Sequence, residues 1–247
     1  MATTQERRVQ RVRHELRRRD VQVTRINAIG SGFVSLTFAG EALQDFTSLG
    51  FDDHIKFMFA DADGETVRRD YTPRHFDPVS NELTVEFALH GDGQVSEWAR
   101  NAKVGDNAII GGPRGSMIVP MDYAWHLFIS DETGLPAVSR RLEELPANSH
   151  AIVIAQVADA ADQRKFAAQA NVQVQWVQNA DELIDAVVAL QLPEGDGFAW
   201  GAGEASSMAK VRKILADDKG HSKQAMRVAA YWRHGASDFH EELSQPE

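Results

Sequence analysis

The apolar positions of the chain follow two rhythms. From residue 21 to about 120 they alternate. Val21-Gln-Val-Thr-Arg-Ile26 puts every second side chain on one face, Gly30-Ser-Gly32 turns the chain, and Phe33-Val-Ser-Leu-Thr-Phe38 continues the pattern. His54–Phe59 alternates again and meets Asp63-Gly64, a strong hairpin signal; Thr66–Thr72 is then the returning strand, stopped by Pro73. Glu82–Leu89, a short helix near Val95–Ala102 and strands at Asn107–Gly111 and Ser116–Val119 complete this half. Many short strands between turn residues predict an antiparallel barrel or sandwich.

Beyond about residue 122 the spacing lengthens. Apolar strand candidates at 126–130, 151–157, 172–177, 197–202 and 226–231 are separated by helical stretches at Gly134–Leu145, Ala180–Leu190 and Glu204–Ala216. Pro136 sits near the start of the first of these, where its missing N–H costs nothing. Strands that are largely apolar and alternate with helices predict a parallel sheet covered on both faces. The expected organisation is a basic segment over 1–20, a β domain over 21–122 and an α/β domain over 123–247.

Charge and composition narrow the function. The 26 basic and 36 acidic residues give a net charge of −10, unevenly spread: residues 1–20 carry seven Arg against three acids, the remainder 19 basic residues against 33 acidic. An acidic body repels nucleic acid and anionic membrane, so neither is expected as a partner. The Arg-rich start reads as a basic arm or as a solvated terminus, with Val9, Val12 and Leu16 at the spacing of a narrow helical stripe. No run of about 18 apolar residues spans a bilayer, and the N-terminal stretch lacks the apolar core of a secretory signal, which leaves the cytoplasm as the expected compartment. With no cysteine there are no disulfides, thiolate metal sites or cysteine nucleophiles.

Hydrolytic and phosphate-loop motifs are missing: the chain has no G-x-S-x-G, G-x-x-x-x-G-K-[ST] or H-E-x-x-H. Its nine histidines are scattered and no metal set is assigned. Gly201-Ala-Gly203 ends a strand and opens a helix, which suits a dinucleotide or simply a tight turn. The sharper group lies earlier. Arg69 can fork onto a pyrophosphate, Tyr71 on the same strand face can pack a flat ring, and Thr72 supplies a hydroxyl. His90-Gly-Asp-Gly-Gln-Val-Ser96 follows, where Gly93, Val95 and Ser96 at a helix start offer N–H groups and a hydroxyl to phosphate; Ser96 also reads as the cap of that helix. Together these residues point to a flavin dinucleotide.

Arg69-x-Tyr71-Thr72 resembles the R-x-Y-[ST] flavin signature of the ferredoxin-reductase superfamily. Four segments in order over residues 20–235 are similar to the siderophore-interacting protein family of flavin-dependent ferric-siderophore reductases: Arg69–Arg74, His90–Ala99, Asp131-Glu-Thr-Gly-Leu-Pro-Ala137, and Trp200–Glu204 with Tyr231-Trp-Arg-His-Gly235. The resemblance implies a Greek-key FAD barrel followed by a parallel α/β domain that binds NADH or NADPH. It places Arg69 on FAD phosphate, Tyr71 against the flavin or its ribityl chain and Thr72 at the flavin N5 edge, the catalytic position. His90, Gly93, Val95 and Ser96 would line the dinucleotide with Trp98 behind. Asp131, Glu132 and Thr133 would border the nicotinamide path, Gly201, Gly203 and Glu204 the second nucleotide, while Trp232 with Tyr231 and Arg233 would approach the flavin. Gly134 stands where the family has Ala, a minor change by this reading, and Gly93-Gln-Val-Ser96 replaces the more rigid Gly-Pro-Ala-Ser.

The substrate so implied is a ferric siderophore, with iron entering only as that chelate, and ferredoxin is the other electron donor left open. Lys56, Arg74, Arg140 and Arg233 neighbour the motifs in sequence and are the candidate cations for an anionic siderophore, Lys56 and Arg233 foremost. Ala158-Asp-Ala-Ala-Asp-Gln-Arg164 holds acids and one Arg together, so NADH and NADPH are not distinguished. The alternatives are a general NAD(P)H:flavin reductase or electron-transfer module, and a siderophore-binding protein without redox chemistry.

Overall fold

A computed structural model describes residues 8–89, 93–236 and 241–243. The chain forms two compact units: residues 11–118 with 161–163, and the rest of the described chain.

The first unit is an antiparallel sheet built from β2 (Arg18–Ile29), β3 (Phe33–Ala39), β4 (Ile55–Ala60), β5 (Thr66–Tyr71), β6 (Pro73–Asp77), β7 (Glu82–Ala88) and β8 (Asn107–Gly111), preceded by β1 (Gln10–Arg13). Its order is β5-β4-β8-β2-β3-β7-β6. Alternation explains the inside: Val21, Val23, Leu36, Phe38, Ile55, Phe57, Val85, Phe87, Ala108 and Ile110 all enter one core. The sheet curls until the edge strand β5 meets β7, the last strand but one at the other end, with Tyr71 and Phe87 at 4.4 Å between ring centroids. Helix α1 (Gln94–Asn101) adds Trp98, whose ring lies 4.9 Å from Phe57 and 5.4 Å from Phe59. A further strand, β9 (Gly115–Ile118), pairs with β1.

Two sequence expectations change here. Pro73 does not simply stop a strand. It ends the β4–β5 ladder and opens β6, which pairs with β7 from Pro73↔Val85 onward. A proline is tolerated at the first residue of an edge strand because its missing N–H breaks no ladder bond. The basic start forms no helical stripe either: Gln10–Arg13 is extended and Leu16 is exposed.

The second unit carries β10 (Trp125–Ser130), α2 (Leu135–Glu144), β11 (His150–Gln156), β12 (Asn171–Val177), α3 (Ala180–Ala189), β13 (Gly197–Glu204), α4 (Ala205–Lys213), β14 (Met226–Trp232) and the short β15 (Glu241–Glu242). The order is β12-β11-β10-β13-β14-β15, parallel throughout except for β15. Leu127, Ile129, Ile152, Ile154 and Val228 form its apolar face against Leu183, Met208 and Val211 of the helices. Between β11 and β12 the chain forms a short 3-10 turn at Ala160–Asp162. Asp162, which belongs to the β unit, accepts the N–H groups of Ser31 (2.8 Å) and Gly32 (2.7 Å).

His126 on β10 is fully buried. One ring nitrogen meets the Met121 carbonyl at 3.3 Å, and Nδ1 has no hydrogen-bond partner. Burial first, and the Arg141 charge second, push its pKa from 6.5 down to about 4. The unfolded chain therefore takes up this proton near pH 6.5 while the folded chain does not, so stability falls as pH drops from 6.5 toward 4. In thermal unfolding between pH 7 and 4.5, His126→Phe is expected to lose less Tm than the natural chain. Equal losses would exclude His126 as a source of the acid sensitivity.

Candidate functional site

The β unit contributes a corner. On β5 the residues Val67, Arg69 and Tyr71 share the core-facing side, opposite Phe59, Phe57 and Ile55 of β4, while Arg68 and Asp70 face the other way. Thr72 is the residue between the two ladders, buried at 7% exposure. Tyr71 packs edge-on to Phe57 at 6.0 Å, and its burial raises the phenol well above its ordinary range, so the ring is neutral. Arg69 donates to the Arg68 carbonyl at 2.7 Å. Its other donors, and the Thr72 hydroxyl, form no hydrogen bond among the described residues.

Helix α1 starts next to this strand pair. Gly93 is its cap residue, in extended conformation, and no side chain caps the first turn. Ser96 is therefore not the cap expected from sequence: its hydroxyl donates to the Ala88 carbonyl at 3.2 Å. Val95 is in the core, so only its backbone can face a ligand. His90 lies outside the described residues. Unspent guanidinium donors, a hydroxyl, an uncapped helix start and a flat neutral ring fit the pyrophosphate and ring system of FAD.

The α/β unit contributes a crevice. From β10 the chain crosses through α2 to β11 on one side, and from β13 through α4 to β14 on the other, so the direction of winding reverses between β10 and β13. Open parallel sheets bind ligands outside the carboxyl ends of their strands at such a reversal. Asp131 stands there, 3% exposed. Its Oδ1 accepts the N–H (2.9 Å) and hydroxyl (2.6 Å) of Thr133; its Oδ2 accepts the N–H of Glu204 (2.8 Å) and the indole N–H of Trp232 (2.8 Å). Burial pushes the Asp131 pKa up, against these hydrogen bonds. Glu132 accepts the Ala158 N–H beyond β11 at 3.0 Å.

The glycines of this turn divide. A Cβ on Gly203 would lie 2.6 Å from Asp131 Oδ2, so this glycine makes room for the carboxylate; on Gly201 it would meet nothing closer than 3.4 Å. Glu204 caps α4 through the N–H groups of Ser206 (2.6 Å) and Ser207 (3.2 Å). Burial pulls its pKa up, but these bonds win and hold it below the ordinary value. The start of α4 is thus filled by a carboxylate of the chain itself. The Asp131–Trp232 and Asp131–Gly203 contacts are absent from the sequence reading, because nothing in a sequence pairs residues about seventy to a hundred positions apart.

All four candidate cations are ion-paired. Arg74 meets Glu86 at 3.1 Å and Arg140 meets Glu144 at 2.9 Å, both with guanidinium side chains largely buried. Lys56 pairs with Asp70 at 2.8 Å and Arg233 with Glu241 at 3.5 Å, and these two cations stay about half exposed. Lys56 lies on the face of its sheet opposite to Arg69 and Tyr71.

A curled antiparallel sheet followed by a parallel α/β sheet is the fold of the ferredoxin reductases. The ferredoxin-NADP+ reductase from Plasmodium falciparum shares the fold, with a TM-score of 0.66 at 14% identity over 87% of this chain and 96% of that one. Residues 22–67 and 61–117 match the siderophore-interacting FAD-binding domain, and residues 123–235 match the siderophore-interacting protein model. The chain belongs to the siderophore-interacting protein family. It is 36% identical to an NADPH-dependent ferric-chelate reductase of Escherichia coli, over 90% of this chain and 96% of that protein. A siderophore utilization protein from T. fusca superposes with a TM-score of 0.88 at 29% identity, over 94% and 98% of the two chains.

Gly134 is not the minor change expected from sequence. A Cβ there would lie 2.6 Å from Ser130 Cβ and 3.2 Å from the Trp200 ring, so the glycine is required by what packs on it. Gly134→Ala is expected to cost about 1–3 kcal/mol of stability through overpacking. Adding Ser130→Gly should recover most of it. Urea midpoints that do not move for the single variant would remove this constraint.

Proposed function

We propose that the chain reduces ferric siderophores, Fe(III) to Fe(II), with electrons from NADPH through FAD, and so releases iron in the cytoplasm, where NADPH is available. The observation that carries this reading is the β5–β6 corner, where the unspent donors of Arg69 and Thr72 flank the partly buried, neutral ring of Tyr71. Bound FAD accepts electrons in pairs from a nicotinamide and passes them on singly, which is what Fe(III) needs. The chain's own residues bind and orient. Arg69 and the first turn of α1, from Gly93 to Ser96, hold phosphate. Tyr71 gives a flat apolar face, and Thr72 puts a hydroxyl at the reacting edge. Asp131, Thr133, Gly203 and Glu204 shape the nucleotide crevice.

An anionic chelate on a body of this charge needs local cations. Arg233 and Lys56, the latter from the outer face of its sheet, serve, since an exposed ion pair holds its partners weakly. The Arg74–Glu86 pair, buried on both sides, is structural instead. NADPH is taken as donor because of the named activity of the Escherichia coli relative; ferredoxin is the other donor to test.

The test is the visible spectrum of purified protein, repeated anaerobically after NADPH and then after a ferric siderophore. Flavin bands that bleach with NADPH and return on adding iron, with two Fe(III) reduced per NADPH oxidised, are the expected result. Bands that resist NADPH but bleach with reduced ferredoxin would replace the donor; a colourless protein that takes up no FAD would overturn the reading. Arg69→Ala is expected to lose flavin on gel filtration. Lys56→Ala should raise KM about two- to fivefold for anionic ferric siderophores, the worth of an exposed charge, and leave neutral ones unchanged. Equal effects on both classes would favour a general flavin reductase.

A further inference from the structure

We propose that Asp131 is a positioning residue: its buried carboxylate fixes the indole of Trp232 at the carboxyl end of the parallel sheet, and it is the indole that meets the nicotinamide nucleotide. The inference rests on the reading of the chain as an NADPH-dependent reductase. The family resemblance places Asp131 beside the nicotinamide path. In the structure it is 3% exposed, and both of its oxygens already accept two hydrogen bonds each. A carboxylate in that state has nothing left to offer a ligand. What it does instead is tie three strand ends together: its own, which follows β10, that of β13 through the Glu204 N–H, and that of β14 through the Trp232 indole.

Trp232 is the other half of the argument. It is the last residue of β14 and 39% exposed, so a large part of the ring faces outward from the end of the sheet. A tryptophan with its N–H tied and its ring half open is a flat apolar wall with one fixed edge. The charged neighbours turn elsewhere: Glu204 to Ser206 and Ser207, Glu132 to Ala158 and Arg233 to Glu241. Only an aspartate meets these terms. Asn would point an amide N–H at donors on one side, whichever way it turned. Glu would be too long, because the space beside Gly203 is already closed to within 2.6 Å.

NADP+ binding by calorimetry, with the flavin-loaded protein and its Asp131→Asn, Trp232→Phe and double variants, tests the coupling. Trp232→Phe keeps a ring and deletes the tether. Each single variant is expected to weaken NADP+ about tenfold, the worth of one hydrogen bond to a charged group. The double variant should be no weaker than Asp131→Asn alone, since both break one connection. In steady state, KM for NADPH should rise while kcat at saturating nucleotide stays within about twofold. Two results overturn the inference alone: NADP+ binding by Trp232→Phe that equals the natural chain, or losses that multiply in the double variant. Trp232→Phe carries the first of these even where Asp131→Asn fails to fold. A natural chain that binds FAD but neither NADP+ nor NADPH overturns the NADPH reading and this inference with it.

Discussion

One buried carboxylate organises the end of the parallel sheet. Asp131 accepts four hydrogen bonds at 2.6–2.9 Å and is nearly inaccessible to water. Burying an ionised group is costly unless every acceptor is filled, and filling these four requires donors from the turn after β10, the end of β13 and the end of β14 at once. The sheet therefore cannot splay at its point of reversal without stranding a charge. The same demand fixes its surroundings. Residue 203 must be glycine to admit the carboxylate, and Glu204 presents its N–H inward while its side chain caps α4.

The β unit solves a different problem, how to leave polar groups unspent beside a core. Its interior is aromatic, with Phe38, Phe57 and Phe87 in mutual contact and Trp98 packed against Phe57. Such rings close the curled sheet without a ladder between its first and last strands. At Pro73 the chain leaves one ladder and joins another. Thr72 falls in the gap, and the residues before it, Arg69 and Tyr71, reach the rim on the core-facing side. At this corner the Thr72 hydroxyl, and the Arg69 guanidinium apart from its bond to the Arg68 carbonyl, form no hydrogen bond among the described residues.

The strands read at 33–38 and 82–89 match β3 and β7 to within a residue, the one read at 21–26 is the middle of the longer β2, and the switch to helical spacing after about 122 marked the parallel sheet. Alternation works because one face of each strand is buried, and Val21, Val23 and Ile110 mark that face. The β6 strand escaped because proline reads as a stop, and the 10–13 strand because Arg-rich segments carry little apolar signal. The chemistry was legible only where residues are close in sequence, as with Arg69, Tyr71 and Thr72. Partners brought together by folding, Asp131 with Trp232 and Ser130 with Gly134, leave no such trace: the first pair spans a hundred residues, and the second depends on a missing Cβ.

Charge shows why position in a motif is a poor guide to role. Lys56, Arg74, Arg140 and Arg233 look alike in the sequence, each near one of the motifs of an acidic chain. The structure sorts them by what ionising or unpairing them would cost. Removing Arg74 from Glu86 would strand a carboxylate that is itself buried, a loss of several kcal/mol in ordinary cases, so a passing anion cannot compete for that guanidinium. Lys56 and Asp70 are both open to water, where an ion pair is worth about 0–1 kcal/mol. An incoming multiply charged anion offers the lysine more than Asp70 does. On an acidic protein the cations open to an incoming anion are those whose resting partners are weak enough to be displaced, and that property is set by exposure.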